Sequence, residues 1–275
     1  MNDFTSPWQG YDFLGLSVLL SRMEEITRPV MEAVQSIQLA LKPIVEAVEQ
    51  YKPIVAEIGQ TLLHVSHRLS AIERMGDAQF VLWDYITDEY VDAIVDAENI
   101  NKILRVHMLR DHFSKVNRTI DKTLSSTVMQ KHKRLYAQSV KAFQNGASDL
   151  AVTGFTSVFD GLLTDISGKT TSRLGPRIDV IKKKLDNDEL LDHDEYATIT
   201  LAMTLEKTLD SFSAPSDFKG KEPKGLNRHW IAHGRSTRKK TKLDCVKMIN
   251  LIFGLLLIEE LGSSVTSESS CEHGE

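Results

Sequence analysis

Residues 147–167 read Ala147-Ser-Asp-Leu-Ala-Val-Thr-Gly-Phe155-Thr-Ser-Val158-Phe159-Asp160-Gly-Leu162-Leu163-Thr-Asp-Ile166-Ser167. The six large apolar residues from Phe155 to Ile166 fall at offsets 0, 3, 4, 7, 8 and 11. That spacing is one wide stripe of a helix, the signature of a helix buried along one face. Asp160 borders the stripe. Working outward, residues 133–146 read as a preceding helix and 168–176 as a turn. Residues 178–185 and 193–212 read as two further helices, the second with an Asp-rich start that suits a helix amino terminus. Pro215, Gly220, Pro223 and Gly225 make 213–225 a loop. Residues 242–261 are apolar nearly all round, so the final helix is expected to be buried on most sides.

No segment alternates with period two, and Gly 15 and Pro 7 are low for 275 residues. The expected fold class is all-α. Residues 121–132 read as a weak helix or a connector. The expected organisation is an amino-terminal helical region over 1–125, a helical bundle over 126–262 and a flexible polar tail over 263–275. Pro29, Pro43 and Pro53 interrupt a helical pattern running from 13 to 75, giving several pieces or a kinked rod. An assembly, regulatory or partner-binding role and an ordinary amphipathic layer both fit this region. His64 and His67, three apart, fit either a metal pair or a solvated helix face.

Hydrophobic residues at 41% and charged residues at 26% are ordinary globular composition. Two cysteines, Cys245 and Cys271, cannot staple a disulfide framework, which points to a reduced compartment. The longest apolar run, 249–258, is about half the ~20 residues a membrane span needs. The first residues lack a basic signal-peptide region. The expectation is a cytoplasmic protein without a membrane partner. A net charge of −5 excludes a generic polyanion binder, so any nucleic-acid site must be a local basic patch. Residues 77–98 carry seven acids and no Lys or Arg, whereas 99–142 carry ten Lys/Arg against Asp111 and Asp121. Two solvated faces of opposite sign fit this pattern. So does an acidic block that covers a basic surface when no ligand is bound.

The chemistry concentrates in 226–242, which contains Leu226-Asn227-Arg228-His229-Trp230-Ile231-Ala232-His233-Gly234-Arg235 and continues through Arg238, Lys239, Lys240 and Lys242. From Arg228 to Lys242 there are six Lys/Arg and no acid, a local inversion of charge. Histidine exchanges protons near neutrality, and arginine offers a planar fork matched to phosphate oxygens. Together they supply the parts for metal-free phosphodiester cleavage, with the 2′-hydroxyl of RNA as the attacking group. His229 and His233 also have the i, i+4 spacing of a metal pair. Trp230 stands where a metalloprotease would need Glu, and no third ligand is evident. A purely structural role for both histidines, with Gly234 turning the chain, also fits the spacing.

Asn227-Arg228-His229 followed by His233-Gly234 resembles the Arg-x4–6-His signature of the HEPN superfamily. It lies just before the final apolar helix, as in that family, and the acidic residue within the Phe/Leu helix has its counterpart there. The resemblance covers roughly 130–262. It implies a dimerising helical bundle and, in active members, a metal-independent endoribonuclease without a cofactor. Such enzymes leave a 2′,3′-cyclic phosphate and often serve as toxins of toxin–antitoxin pairs or as phage-defence effectors. By position Arg228 and His233 are the signature pair, His229 is the polar residue beside the arginine, and Asp160 and Asn227 support them. Arg235, Arg238, Lys239 and Lys240 are then expected to guide RNA, and the amino-terminal helices to bind an antitoxin or other protein. Because Arg228 and His233 do not share one face of a regular helix, they are expected to meet across a two-fold axis, with Trp230 and the final helix near the interface. The alternative implied by the same resemblance is a non-catalytic nucleotide- or partner-binding scaffold.

Overall fold

The computed structural model describes residues 52–82, 88–171, 173–185 and 195–268. All regular structure among these residues is helical, as the hydrophobic periodicity requires. In chain order the helices are α1 (Lys52–Asp77), α2 (Asp88–Val95), α3 (Ile100–Leu109), α4 (Ser114–Ser125), α5 (Lys133–Gln144), α6 (Ser148–Ser167), α7 (Gly175–Leu185), α8 (Glu195–Ser213), α9 (Arg228–Ala232) and α10 (Lys242–Glu268). A single 3₁₀ turn, Asp111–Phe113, joins α3 to α4. Pro29, Pro43 and most of the expected Pro-interrupted region lie outside the described residues. Pro53 sits in the first turn of α1, where its missing N–H leaves no hydrogen bond unmade.

The chain divides between Leu63 and His64, and the described residues from His64 onward form one compact unit. The division therefore falls far upstream of the expected boundary near 126. The reason lies in α10. Its buried positions, Leu243, Cys245, Val246, Met248, Ile249, Leu251, Ile252, Phe253, Leu255, Leu256 and Ile258, surround the whole helix. One layer of helices cannot cover such a surface, and α3, α4, α6, α7 and α8 all pack against it. Residues 126–132 form a tight turn that buries Met129, so they bind the bundle together and do not separate two bodies. Helix α10 also continues to Glu268, beyond the predicted end at 261–262.

Helix α6 is the second axis of the unit. Its stripe of Phe155, Val158, Phe159, Leu162, Leu163 and Ile166 is buried as predicted, and α5, α7, α9 and α10 pack against it. Thr241 caps α10: its Oγ1 accepts the Asp244 N–H at 3.2 Å, while the Asp244 carboxylate accepts the Thr241 N–H at 2.7 Å. This reciprocal pair fixes where α10 starts and thus where the preceding loop must end.

After α1 the chain enters the core as non-helical backbone over 80–82, where Phe80, Val81 and Leu82 are buried. Buried non-helical backbone needs side-chain partners. Thr204 Oγ1 of α8 accepts the Leu82 N–H at 2.9 Å, and Asn250 Nδ2 of α10 donates to the Val81 carbonyl at 3.1 Å. Gly254 makes room for this segment, because a Cβ there would stand 2.8 Å from Val81 Cγ1. Gly254→Ala is expected to lower unfolding free energy by about 1–3 kcal/mol through overpacking, measured by urea titration. Unchanged stability would show that the 80–82 crossing is loosely packed.

Candidate functional site

Helix α9 is only Arg228–Ala232, and its neighbours hold it in place. Asn227 caps it: the side-chain Oδ1 accepts from His229 N at 3.0 Å and Trp230 N at 3.3 Å. The Asn227 Nδ2 donates to the Ala214 carbonyl at 2.9 Å, tying the cap to the loop after α8. One residue earlier, Gln79 brackets Leu226. Its Oε1 accepts the Leu226 N–H at 2.6 Å and its Nε2 donates to the Leu226 carbonyl at 2.7 Å. Gly225 permits this approach, since a Cβ there would lie 2.5 Å from Gln79 Oε1. Behind the helix Trp230 is buried, and its Nε1 donates to Ser216 Oγ at 2.9 Å. Gly234, at φ 64, ends the helix in the left-handed conformation that glycine adopts without strain.

This frame presents a cluster of four groups. Arg228 Nε donates to both Asp160 oxygens at 3.1 and 3.0 Å, and its Nη2 donates to Oδ2 at 2.8 Å. The Arg228 and Asp160 side chains are 17% and 24% exposed, so the pair sits at the mouth of the bundle. Asp160 is itself held from behind, because Arg177 Nη1 of α7 donates to its carbonyl at 3.1 Å and to Thr164 Oγ1 at 2.7 Å. The His229 and His233 rings lie nearly parallel, 18° apart, with centroids separated by 6.3 Å. His229 is half-buried and His233 exposed. Burial, helped by the charges of Arg228 and His233, pushes the His229 imidazole below its ordinary range, with Asp160 opposing. Both influences favour the neutral imidazole, the form that can accept a proton.

Of the expected residues, Arg228 is hydrogen-bonded to Asp160, His229 lies beside His233, and Asn227 caps the helix that carries them. Arg228, His229 and His233 occupy one five-residue helix and its cap, and Asp160 reaches Arg228 from α6. Trp230 and the α10 positions named above, from Leu243 to Ile258, are buried within the chain, so they present no exposed apolar face for the expected subunit interface. Their apolar surface is already covered by Phe218 and by the surrounding helices.

The expected RNA-guiding set divides in two. Arg235 and Lys239 are exposed. Arg238 is instead paired with Asp244 through Nη1 and Nη2 at 3.0 and 3.2 Å. Lys240 is buried, with its Nζ 3.2 Å from Glu222 and its N–H donating to Asp149 at 2.9 Å. These two cations fasten the loop and do not reach outward for RNA, because Glu222 and Asp244 are close enough to neutralise them. The acidic block does not mask the loop through Asp77 or Asp92 either. Asp77 pairs with Lys207 at 3.0 Å and Asp92 with His67 at 3.4 Å. His64 accepts from Arg68 Nε at 2.8 Å, so His64 and His67 serve separate partners. Among the described residues no three His, Cys, Asp or Glu side chains gather as a metal site.

Sequence reading missed Gln79, Arg177, Glu222 and Phe218. Phe218, on the loop between α8 and α9, meets Trp230 and His233 edge-to-face at 5.5 Å each, and Arg235 lies over its ring at 4.9 Å. Nothing in local spacing connects these residues to α9, since each acts across 10 or more positions of chain. No family model, curated protein or solved structure matches the chain.

Proposed function

We propose that the protein is a HEPN-like, metal-independent endoribonuclease, acting as a toxin or phage-defence effector. The observation that carries this reading is the Asp160-oriented Arg228 fork beside the His229–His233 pair on one short helix. Asp160 occupies Nε and Nη2, and no protein group among the described residues occupies Nη1, which is left to grip a phosphate oxygen. His229, kept neutral by burial and by neighbouring charge, takes the proton from the ribose 2′-hydroxyl. The 2′-oxygen attacks phosphorus and the bond to the 5′-oxygen breaks. His233 delivers a proton to that leaving oxygen. The products are a 2′,3′-cyclic phosphate and a 5′-hydroxyl, and the charge developing on the phosphoryl oxygens falls beside Arg228. As a homodimer the enzyme would bring two such surfaces to one RNA through the exposed side of His233 and Arg235.

The test is cleavage of mixed unstructured RNAs in EDTA by the parent chain and by His233→Ala. The parent is expected to cut and the variant to be slower by about 10²-fold, the scale of general acid–base catalysis. A parent that binds nucleotide or a protein partner yet cuts no RNA would favour the scaffold alternative.

A further inference from the structure

We propose that the exposed cations of segment 235–242 continue onto α4 as a track for single-stranded RNA, so that substrate cut at α9 is held several nucleotides beyond its scissile phosphate. This rests on the nuclease reading and specifies its substrate as unpaired RNA longer than a dinucleotide.

Segment 235–242 has an inward and an outward set of cations. Arg238 and Lys240 face Asp244 and Glu222 and fix the backbone. Arg235, Lys239 and Lys242 are exposed. At each end of the segment a cation lies over an aromatic ring supplied by a different part of the chain. Arg235 Cζ is 4.9 Å from the Phe218 centroid, and Lys242 Nζ is 5.3 Å from that of Phe113. Both phenylalanines have left-handed backbone, at φ 59 and φ 63, and His112 precedes Phe113 at φ 53. Such conformations cost non-glycine residues on the order of 1 kcal/mol or more and concentrate where ligands are held.

Phe113 leads directly into α4. There Lys115, Arg118 and Lys122 recur at 0, 3 and 7, which places them on one flank, and all three are exposed. Val116, Thr119, Ile120 and Thr123 take the buried face, and Asp121 lies on the other flank. Lys115 Nζ donates to His107 Nε2 at 2.6 Å, a neutral partner that leaves the ammonium charge uncancelled. Among the described residues neither Arg110, Lys115 nor Arg118 has a carboxylate partner. In a chain of net charge −5, this row of cations and half-exposed rings suits phosphates in sequence with unstacked bases between them. A duplex keeps its bases stacked and gains nothing from the rings.

The experiment titrates the full chain carrying His233→Ala with a labelled, unstructured RNA of about 15 nucleotides, within the site sizes of single-strand binders. Adding Lys115→Glu and Arg118→Glu is expected to weaken binding about tenfold or more and to flatten the plot of log affinity against log salt by about 1.4 or more, since each lost phosphate contact removes about 0.7. Lys183→Glu, on the exposed side of α7, is the charge control and is expected to stay within about twofold. Circular dichroism verifies that each variant is folded. Equal affinities for the double variant and the control would overturn the track. Equal weakening on a duplex of the same length would overturn its single-strand character. Weakened binding in a protein whose parent cuts no RNA would remove the nuclease reading and keep the track. Cleavage by the parent, with affinity untouched by the double variant, would do the reverse.

Discussion

On the proposed nuclease reading, Arg228→Ala is expected to lower kcat for RNA cleavage by about 10²–10³-fold, the loss when a preorganised donor to the transition-state charge is removed, with a much smaller change in KM. Asp160 accepts three hydrogen bonds from Arg228, and Arg177 and Thr164 brace the same turn of α6. The guanidinium is therefore already oriented without a ligand, so on the proposed reading no binding energy is spent on aiming it. Arg228→Lys should lose most of the same activity, because a single ammonium cannot span both Asp160 oxygens and still reach phosphate. Asp160→Asn should lose less than either, since the fork remains and only its charge-assisted clamp weakens. Single-turnover rates at saturating RNA measure all three. A kcat unaffected by Arg228→Ala would show that the cluster around α9 is a structural ion pair.

Glu222→Ala is expected to destabilise the 64–275 unit by about 3 kcal/mol, the scale for removing one partner of a buried ion pair. Five groups converge on this carboxylate. Lys240 Nζ lies at 3.2 Å, the Thr237 N–H at 2.9 Å, the Arg238 N–H at 3.0 Å and the Thr237 hydroxyl at 3.3 Å, with the Ser236 hydroxyl also donating. Alanine would strand Lys240, whose side chain is 5% exposed, without its counter-ion. On the usual scale for domains of this size the loss corresponds to about 6–12 °C in Tm. Calorimetry checks this, and Glu222→Leu with Lys240→Met should recover most of it by replacing the pair with apolar packing. Full stability in Glu222→Ala would mean that the loop does not depend on this anchor. The pH dependence follows from the same contacts. Burial opposes the charge on Glu222, but its five donors prevail and hold it at about 2, against about 4.5 for an unrestrained carboxyl. Its stabilisation is thus fully present above pH 4.5 and is lost as pH falls toward 2.

Helix identity was readable wherever one face or every face was apolar. The α6 stripe from Phe155 to Ile166 and the all-round apolar α10 are the two axes of the unit, and each announced its burial through period alone. The extent of the bundle was less legible. Polar composition around 121–132 looked like a connector, yet α3 and α4 are needed to cover α10. That requirement arises from packing and leaves no mark at the boundary itself. In the site, Asp160 was nameable as a support for Arg228 through the family resemblance, whereas the role of Asn227 as the cap of α9 is seen only in the fold. The roles of Arg238 and Lys240 were not, because charge counting along 228–242 takes no account of Glu222, which lies on the other side of α9 in sequence. Gln79 reaches Leu226 across 147 positions, a pairing that only the folded chain reveals.

The central claim is that RNA is cut by its own 2′-hydroxyl under the control of Arg228 and its neighbouring imidazoles. The most direct measurement uses one cleavable oligonucleotide and a copy bearing a single 2′-deoxy sugar immediately 5′ of the mapped cut. The account predicts a 2′,3′-cyclic phosphate end on the first and no cleavage at that position on the second. Equal cutting of both, or ends bearing a free 3′-hydroxyl and a 5′-phosphate, would contradict it.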